Sequence, residues 1–372
     1  MSAAIEQVRL RREAEAKFGA DAQRMYFTRE GLERASHRGV PEYKLGRVLD
    51  EMGVVFLDVL RLGIGADALE LGSAHAVTAV DSDPLDVEIT AANGAALDAS
   101  ATMWVQRQDL TTYRPWGEAV FVDLMGRGTP DEDSGPATYA PSLPWAMDLV
   151  RDMGAGAIRL DPRMPHGSVP DGCGADEAEW ISWEGEVQEA VLWWWYGETN
   201  PTARVPRRAT LLPGGATLTG RGLPDPAVRP PGRYLYEPDA AVVHSGLVAE
   251  EVGGGVLDVA EPAWVTSGEA HPTPFATAYE ITEVLPYDPA ALGALLRGRG
   301  VGELTVRRHR RADGAAEELR QAFTPQGTGA ATVFLTRVAG DANLLLVRPA
   351  GDPSGPQRRA ARARMRRGAT AP

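Results

Sequence analysis

The chain has 372 residues, 44% of them hydrophobic and 24% charged, enough for two or three domains of an ordinary globular protein. Its net charge of −13 argues against a general nucleic-acid coat, and its single cysteine, Cys173, rules out an internal disulfide or a cysteine-based zinc cluster. No apolar run approaches the roughly 18 residues of a membrane span, and the N-terminus lacks an apolar signal core, so a cytoplasmic protein without a membrane partner is expected.

Residues 1–50 predict a helical region, because "REAEAKFGADAQRMYFTREGLERAS" is rich in Ala, Glu and Arg. From 51 to 220 apolar runs alternate with helical stretches, the pattern of an α/β domain built on a Rossmann-like sheet. Strands are expected at 54–59, 76–80, 102–107, 119–122 and 155–160. Two hairpins follow, one turning at Glu184–Gly185 and one at Pro213–Gly215. The Pro/Gly-rich run "RGLPDPAVRPPGR" opens a linker and connecting region, 221–276. A small α+β domain is expected over 277–350, with a helix at 288–300, a strand entering "TVRRHRR" and a closing hairpin at 330–349. The last stretch, 351–372, reads as a disordered basic tail. Its six arginines against one aspartate give +5, which leaves −18 on the rest. No histidine or cysteine spacing suggests a metal site.

The chemistry-bearing residues cluster after the first strands. Gly63 and Gly65 in "GIGAD" follow strand one, where a ligand would approach the backbone closely. Asp81 ends strand two, sixteen residues beyond Gly65, a fitting place for an acid that accepts from ribose hydroxyls. Asp109 follows strand three, either facing an adenine amino group or capping its own turn. Asp123 ends strand four, where a reacting group would stand. Acids at successive loops with no lysine among them suit an adenosine ligand without phosphates, and favour S-adenosylmethionine over NAD. In the C-terminal part, Arg307, Arg308, Arg310 and Arg311 surround His309. They serve either as phosphate contacts for RNA or as the charged guard of an exposed strand edge.

Longer stretches carry a resemblance. "AKFGADAQRMYFTREGLE" (16–33), "TAVDSDPL" (78–85), "YAPSLPWAMDL" (139–149), "PPGRYLYEPDAAVVHSGLV" (230–248) and "TPFATAYEITEVLPY" (273–287) resemble the actinobacterial class I S-adenosylmethionine-dependent methyltransferases with a C-terminal THUMP-like domain. The resemblance implies a methyltransferase sheet, bound S-adenosylmethionine and an RNA-type accessory domain. It places Gly63, Gly65, Asp81 and Asp109 at the cofactor and Asp123 and Arg127 at the methyl acceptor. Two departures stand out. The family's Asp-Leu-Gly-Cys-Gly-Ile-Gly puts Val59 at the acid and Arg61 at the first glycine, with Asp58 one residue early. Its Asp-Pro-Ala-Arg-Arg becomes Asp123-Leu124-Met125-Gly126-Arg127. Arg61 then either crowds the ligand or pairs with its carboxylate. The leading expectation is a methyltransferase acting on RNA. Its rivals are a non-catalytic RNA-binding protein on a decayed methyltransferase fold and a small-molecule methyltransferase.

Overall fold

Apolar strands and capped helices give two units, Met1–Thr219 and Gly220–Pro372. The computed structural model describes residues 3–125, 141–164, 166–170, 172–195, 205–251, 254–258, 264–308 and 313–350.

The first unit opens with α1 (Ala3–Phe18), α2 (Arg29–Arg34) and α3 (Gly39–Glu51). Parallel strands and helices then alternate: β1 (Phe56–Leu60), α4 (Ala66–Leu71), β2 (Ala76–Asp81), α5 (Pro84–Ala96), β3 (Met103–Arg107), β4 (Ala119–Asp123), α6 (Leu143–Met153) and β5 (Gly156–Leu160). The helix starts are locally encoded. Asp83 accepts from Leu85 N–H at 2.8 Å just before Pro84, and Ser142 caps α6 through Trp145 N–H. β6 (Glu177–Trp183) and β7 (Glu186–Trp194) form a hairpin whose turn residues, Glu184 and Gly185, both have positive φ, as a tight two-residue turn requires. β8 (Arg207–Leu212) and β9 (Ala216–Thr219) complete a sheet of order β3-β2-β1-β4-β5-β7-β6-β8-β9. Chain order reverses between β1 and β4, so a crevice is expected beyond the carboxyl ends of those strands. Alternation sends Val59, Phe121 and Ala157, which are in register across β1, β4 and β5, into one buried core with Val40 and Val48 of α3.

The second unit is one seven-stranded sheet, and it begins earlier than its sequence suggests. The stretch 221–276, expected as linker and connecting region, contains β10 (Tyr234–Pro238), α7 (Ala240–His244), α8 (Val248–Glu251), β11 (Gly255–Val256) and β12 (Val265–Ser267). These strands are short and only partly apolar, and they form because β10 pairs with β12 on one side and β13 (Ala276–Pro286) on the other. Then follow α9 (Pro289–Gly298), β14 (Val301–Arg308), α10 (Asp313–Ala322), β15 (Gly329–Val338) and β16 (Asp341–Pro349). The order is β11-β12-β10-β13-β16-β15-β14, with β14 and β15 parallel. Both faces are covered. Leu292, Leu296 and Leu319 of the helices pack with Val333, Leu335, Leu344 and Leu346. Phe334 and Leu345, of opposite parity, pack with Leu235, Trp264 and Tyr279. Among the described residues no helix is long and apolar enough to cross a membrane.

Candidate active site

At the switch point lies an open cleft whose volume, with the solvent at its mouth included, is about 870 Å³. Gly63, Asp81 and Asp123 line it from the strand ends, together with Arg61, Asp67 and Arg159. Arg34, Ser36 and Lys44 line it from the N-terminal helical region.

The loop after β1 is held by β2. Arg61 N–H donates to Val80 O at 3.0 Å, and Leu62 N–H donates to Asp81 Oδ2 at 2.7 Å. Asp81 Oδ1 accepts from Asp83 N–H at 2.9 Å, so the carboxylate ties two loops together while lining the cleft. Gly63 and Gly65 both have left-handed backbones, with φ of 56° and 83°, but for different reasons. A Cβ on Gly63 would meet nothing within 4 Å, leaving its backbone open to a ligand; one on Gly65 would lie 2.8 Å from Thr90 Cγ2. Gly65 thus serves the packing of the loop on α5 and does not line the cleft.

The Asp123 side of the cleft is an ionic network. Arg159 donates from Nη1 to Asp123 Oδ2 at 2.8 Å and from Nη2 to Arg34 O and Ser36 Oγ, both at 2.9 Å; its Nε stands 2.7 Å from Glu189 Oε2. Lys44 Nζ stands 2.7 Å from both Asp67 Oδ1 and Glu189 Oε1. Burial works against the charge of both cations, but the carboxylates around them outweigh it and hold their pKa values above the ordinary ones. Asp123 Oδ1 also accepts from Met125 N–H at 2.8 Å, so both of its oxygens have partners.

The comparisons with known proteins agree with this fold. The sequence model of the THUMP domain-like family matches residues 276–349. An uncharacterized S-adenosylmethionine-dependent methyltransferase of Mycobacterium tuberculosis, found in two strains, is 27% identical over 345 residues, which covers 90% of this chain and 92% of the relative. A protein of Porphyromonas gingivalis W83, whose crystal structure is described as a candidate methyltransferase, superposes with a TM-score of 0.72 at 20% identity, over 93% of this chain and 89% of that one. The fold is that of a class I methyltransferase followed by a THUMP-like domain.

Within this methyltransferase fold, the predicted site residues separate. Gly63, Asp81 and Asp123 come together in the cleft, whereas Asp109 does not. Its exposed carboxylate accepts from the N–H and hydroxyl of Thr111, at 2.9 and 2.7 Å, and so caps its own turn. Arg127 lies outside the described residues. Asp58, one residue early in sequence, is buried with its carboxylate turned away from the cleft. It accepts from Tyr113 Oη–H and from the N–H groups of Trp116 (3.2 Å) and Gly117 (2.6 Å) in the β3–β4 connection. Burial pushes its carboxyl above the ordinary value against the pull of those donors. No bulge restores it to the ligand side: β1 pairs with β2 and β4 in unbroken register, and Val59 lines the cleft instead.

In the THUMP-like domain, Arg308 is exposed at the end of the edge strand β14. Arg307 is half-buried, its Nη1 4.0 Å from Glu237 Oε1, so part of its charge is already matched. Arg310 and Arg311 lie outside the described residues. Among the described residues no group of His, Cys, Asp and Glu is arranged to hold a metal ion.

Lys44, Glu189 and Arg159 are the residues that motif reading missed, and a signal existed. Lys44 shares the buried face of α3 with Val40 and Val48, and Glu189 shares its parity on β7 with Val187, Val191 and Trp193. Charges at positions that periodicity reserves for apolar residues mark a buried network.

Proposed function

We propose that this chain is an S-adenosylmethionine-dependent methyltransferase that acts on RNA. The observation that carries the reading is the switch-point cleft. An open left-handed glycine, Gly63, and a strand-end acid, Asp81, share the cleft with Arg61, whose buried guanidinium Nη1 has no hydrogen-bond partner among the described residues. A ligand with an adenosine and an anionic end fits that donor set. When bound, the cofactor supplies an electrophilic methyl group on its sulfonium. Gly63 lets the ligand approach the backbone, and Asp81 has lone pairs left for ribose hydroxyls after binding Leu62 and Asp83.

Asp123 acts as a fixed acceptor that orients the incoming nucleophile. Both of its oxygens are already engaged, by Arg159 and by Met125 N–H, so it is placed to orient rather than to serve as a free base. In-line positioning of the nucleophile is then the protein's main contribution to rate. The THUMP-like match over 276–349 supports RNA as the substrate class, with Arg307, Arg308, Arg310, Arg311 and the arginines of 351–372 as phosphate contacts.

Titration calorimetry with S-adenosylmethionine and S-adenosylhomocysteine, followed by filter binding of RNA at several salt concentrations, tests both halves. Each lost phosphate contact should flatten the salt dependence by about 0.7–0.9 log units per log unit of salt. Deleting residues 351–372 should weaken all RNAs alike, and changing Arg308 and Arg310 to serine should also erase preference for structured RNA. Failure to bind either nucleoside ligand would leave the decayed-fold reading in place. Cofactor binding without any RNA retention would favour a small-molecule acceptor.

A further inference from the structure

The loop after β1 carries an anomaly that the fold alone does not require. Arg61 sits in the left-handed region at φ 64°, where a long side chain is strained, and its backbone N–H is fixed to Val80 O. Its side chain lines the cleft, and Nη1 is buried without a hydrogen-bond partner among the described residues. The other cations lining the cleft are engaged. Lys44 and Arg159 are each flanked by two carboxylates, and Arg34 pairs with Glu30 at 3.3 Å. A strained residue that also leaves a buried donor unmatched persists most readily where a ligand supplies the acceptor.

The neighbouring substitution points the same way. Val59, which lines the cleft, offers a ligand's amino group no counter-charge, and Asp58 faces away. The amino-acid end of a bound nucleoside thus meets an apolar side chain and a guanidinium, so its carboxylate rather than its ammonium group is what this loop recognises. We infer that Arg61 reads the α-carboxylate of the cofactor's methionyl arm, a specificity residue in place of backbone glycine. The inference rests on the cofactor reading above.

The test compares S-adenosylhomocysteine with its decarboxylated analogue, which keeps the adenosine, the thioether and the amine. Both ligands are titrated by calorimetry into the parent, Arg61→Met, Arg61→Lys and Arg61→Gly. Arg61→Gly guards against misfolding, because glycine accepts the left-handed backbone without strain. The parent should prefer the carboxylated ligand. Arg61→Met and Arg61→Gly should bind it about 10- to 100-fold more weakly, the size expected for one charge-assisted contact, with the analogue unchanged. Arg61→Lys should recover part of the difference. Unchanged or tighter binding of S-adenosylhomocysteine by both neutral variants would overturn the inference and show that Arg61 merely crowds the cleft. So would an equal fall for both ligands, which would mean that Arg61 shapes the loop. Those outcomes leave the methyltransferase reading standing. A parent that binds neither ligand removes that reading, and this inference with it.

Discussion

Replacing Asp81 by alanine removes two bonds before any ligand is considered. Its carboxylate receives Leu62 N–H at 2.7 Å and Asp83 N–H at 2.9 Å, in a side chain that is 3% exposed. Leu62 is buried, so its orphaned N–H should cost about 1–3 kcal/mol; Asp83 lies nearer solvent and its N–H can turn to water at a smaller cost. The sum, about 2–4 kcal/mol, corresponds to a fall in melting temperature on the order of 10 °C for a unit of this size. Lost ribose contacts should add about 1.5–3 kcal/mol to the free energy of binding S-adenosylhomocysteine, or 10- to 100-fold in affinity. Circular dichroism melts read the first effect, and calorimetry well below the melt reads the second. An unshifted melt would mean that the carboxylate does not hold the loop. A normal melt with parental affinity would refute both roles.

Asp58→Ala should destabilise the first unit by about 2–4 kcal/mol in urea unfolding, because it strands the N–H groups of Trp116 and Gly117, yet leave cofactor affinity within about twofold. A large affinity loss at full stability would put Asp58 back in the site. Gly65→Ala should unfold at lower temperature because its Cβ would press on Thr90, whereas Gly63→Ala should fold with a backbone penalty of about 1–2 kcal/mol and mainly weaken cofactor binding. Lys44→Met should cost about 3–5 kcal/mol by taking the cation from half-buried Asp67 and leaving buried Glu189 with Arg159 alone, and Lys44→Met with Glu189→Gln should recover part of it. Burial alone would raise the Asp67 carboxyl, but Lys44 and Arg159 hold it below its ordinary 3.8. Its contribution is therefore present above pH 3.8 and lost as pH falls through the lower folded value, so acid unfolding of Lys44→Met should lose this step.

The first sheet was legible because β1, β2, β4 and β5 are mostly apolar runs and glycine-containing turns mark its two hairpins. β10 and β12 were not, since "YLYEP" and "VTS" are too short to show a period and exist only through their neighbours. The sequence could bring Gly63, Asp81 and Asp123 to one cleft because clefts in this architecture open at strand ends. Asp109 was ambiguous in sequence for a physical reason: an acid after a strand looks the same whether it faces a ligand or caps its own turn. Arg159 was hidden inside the strand run "AGAIRL", its four partners drawn from distant segments of the chain.

The position of β16 bears on how the second unit comes into being. The strand nearest the end of this sheet's chain is inserted between β13 and β15, pairing with both along most of its length. During synthesis the earlier strands must therefore wait with two facing edges open, and a chain cut short anywhere before Asp341 would keep them open. Exposed strand edges recruit other chains. Premature termination or proteolytic nicking in the last thirty or so residues of the domain should thus appear as aggregation and clearance of the product, rather than as a trimmed protein with a weakened grip on its substrate.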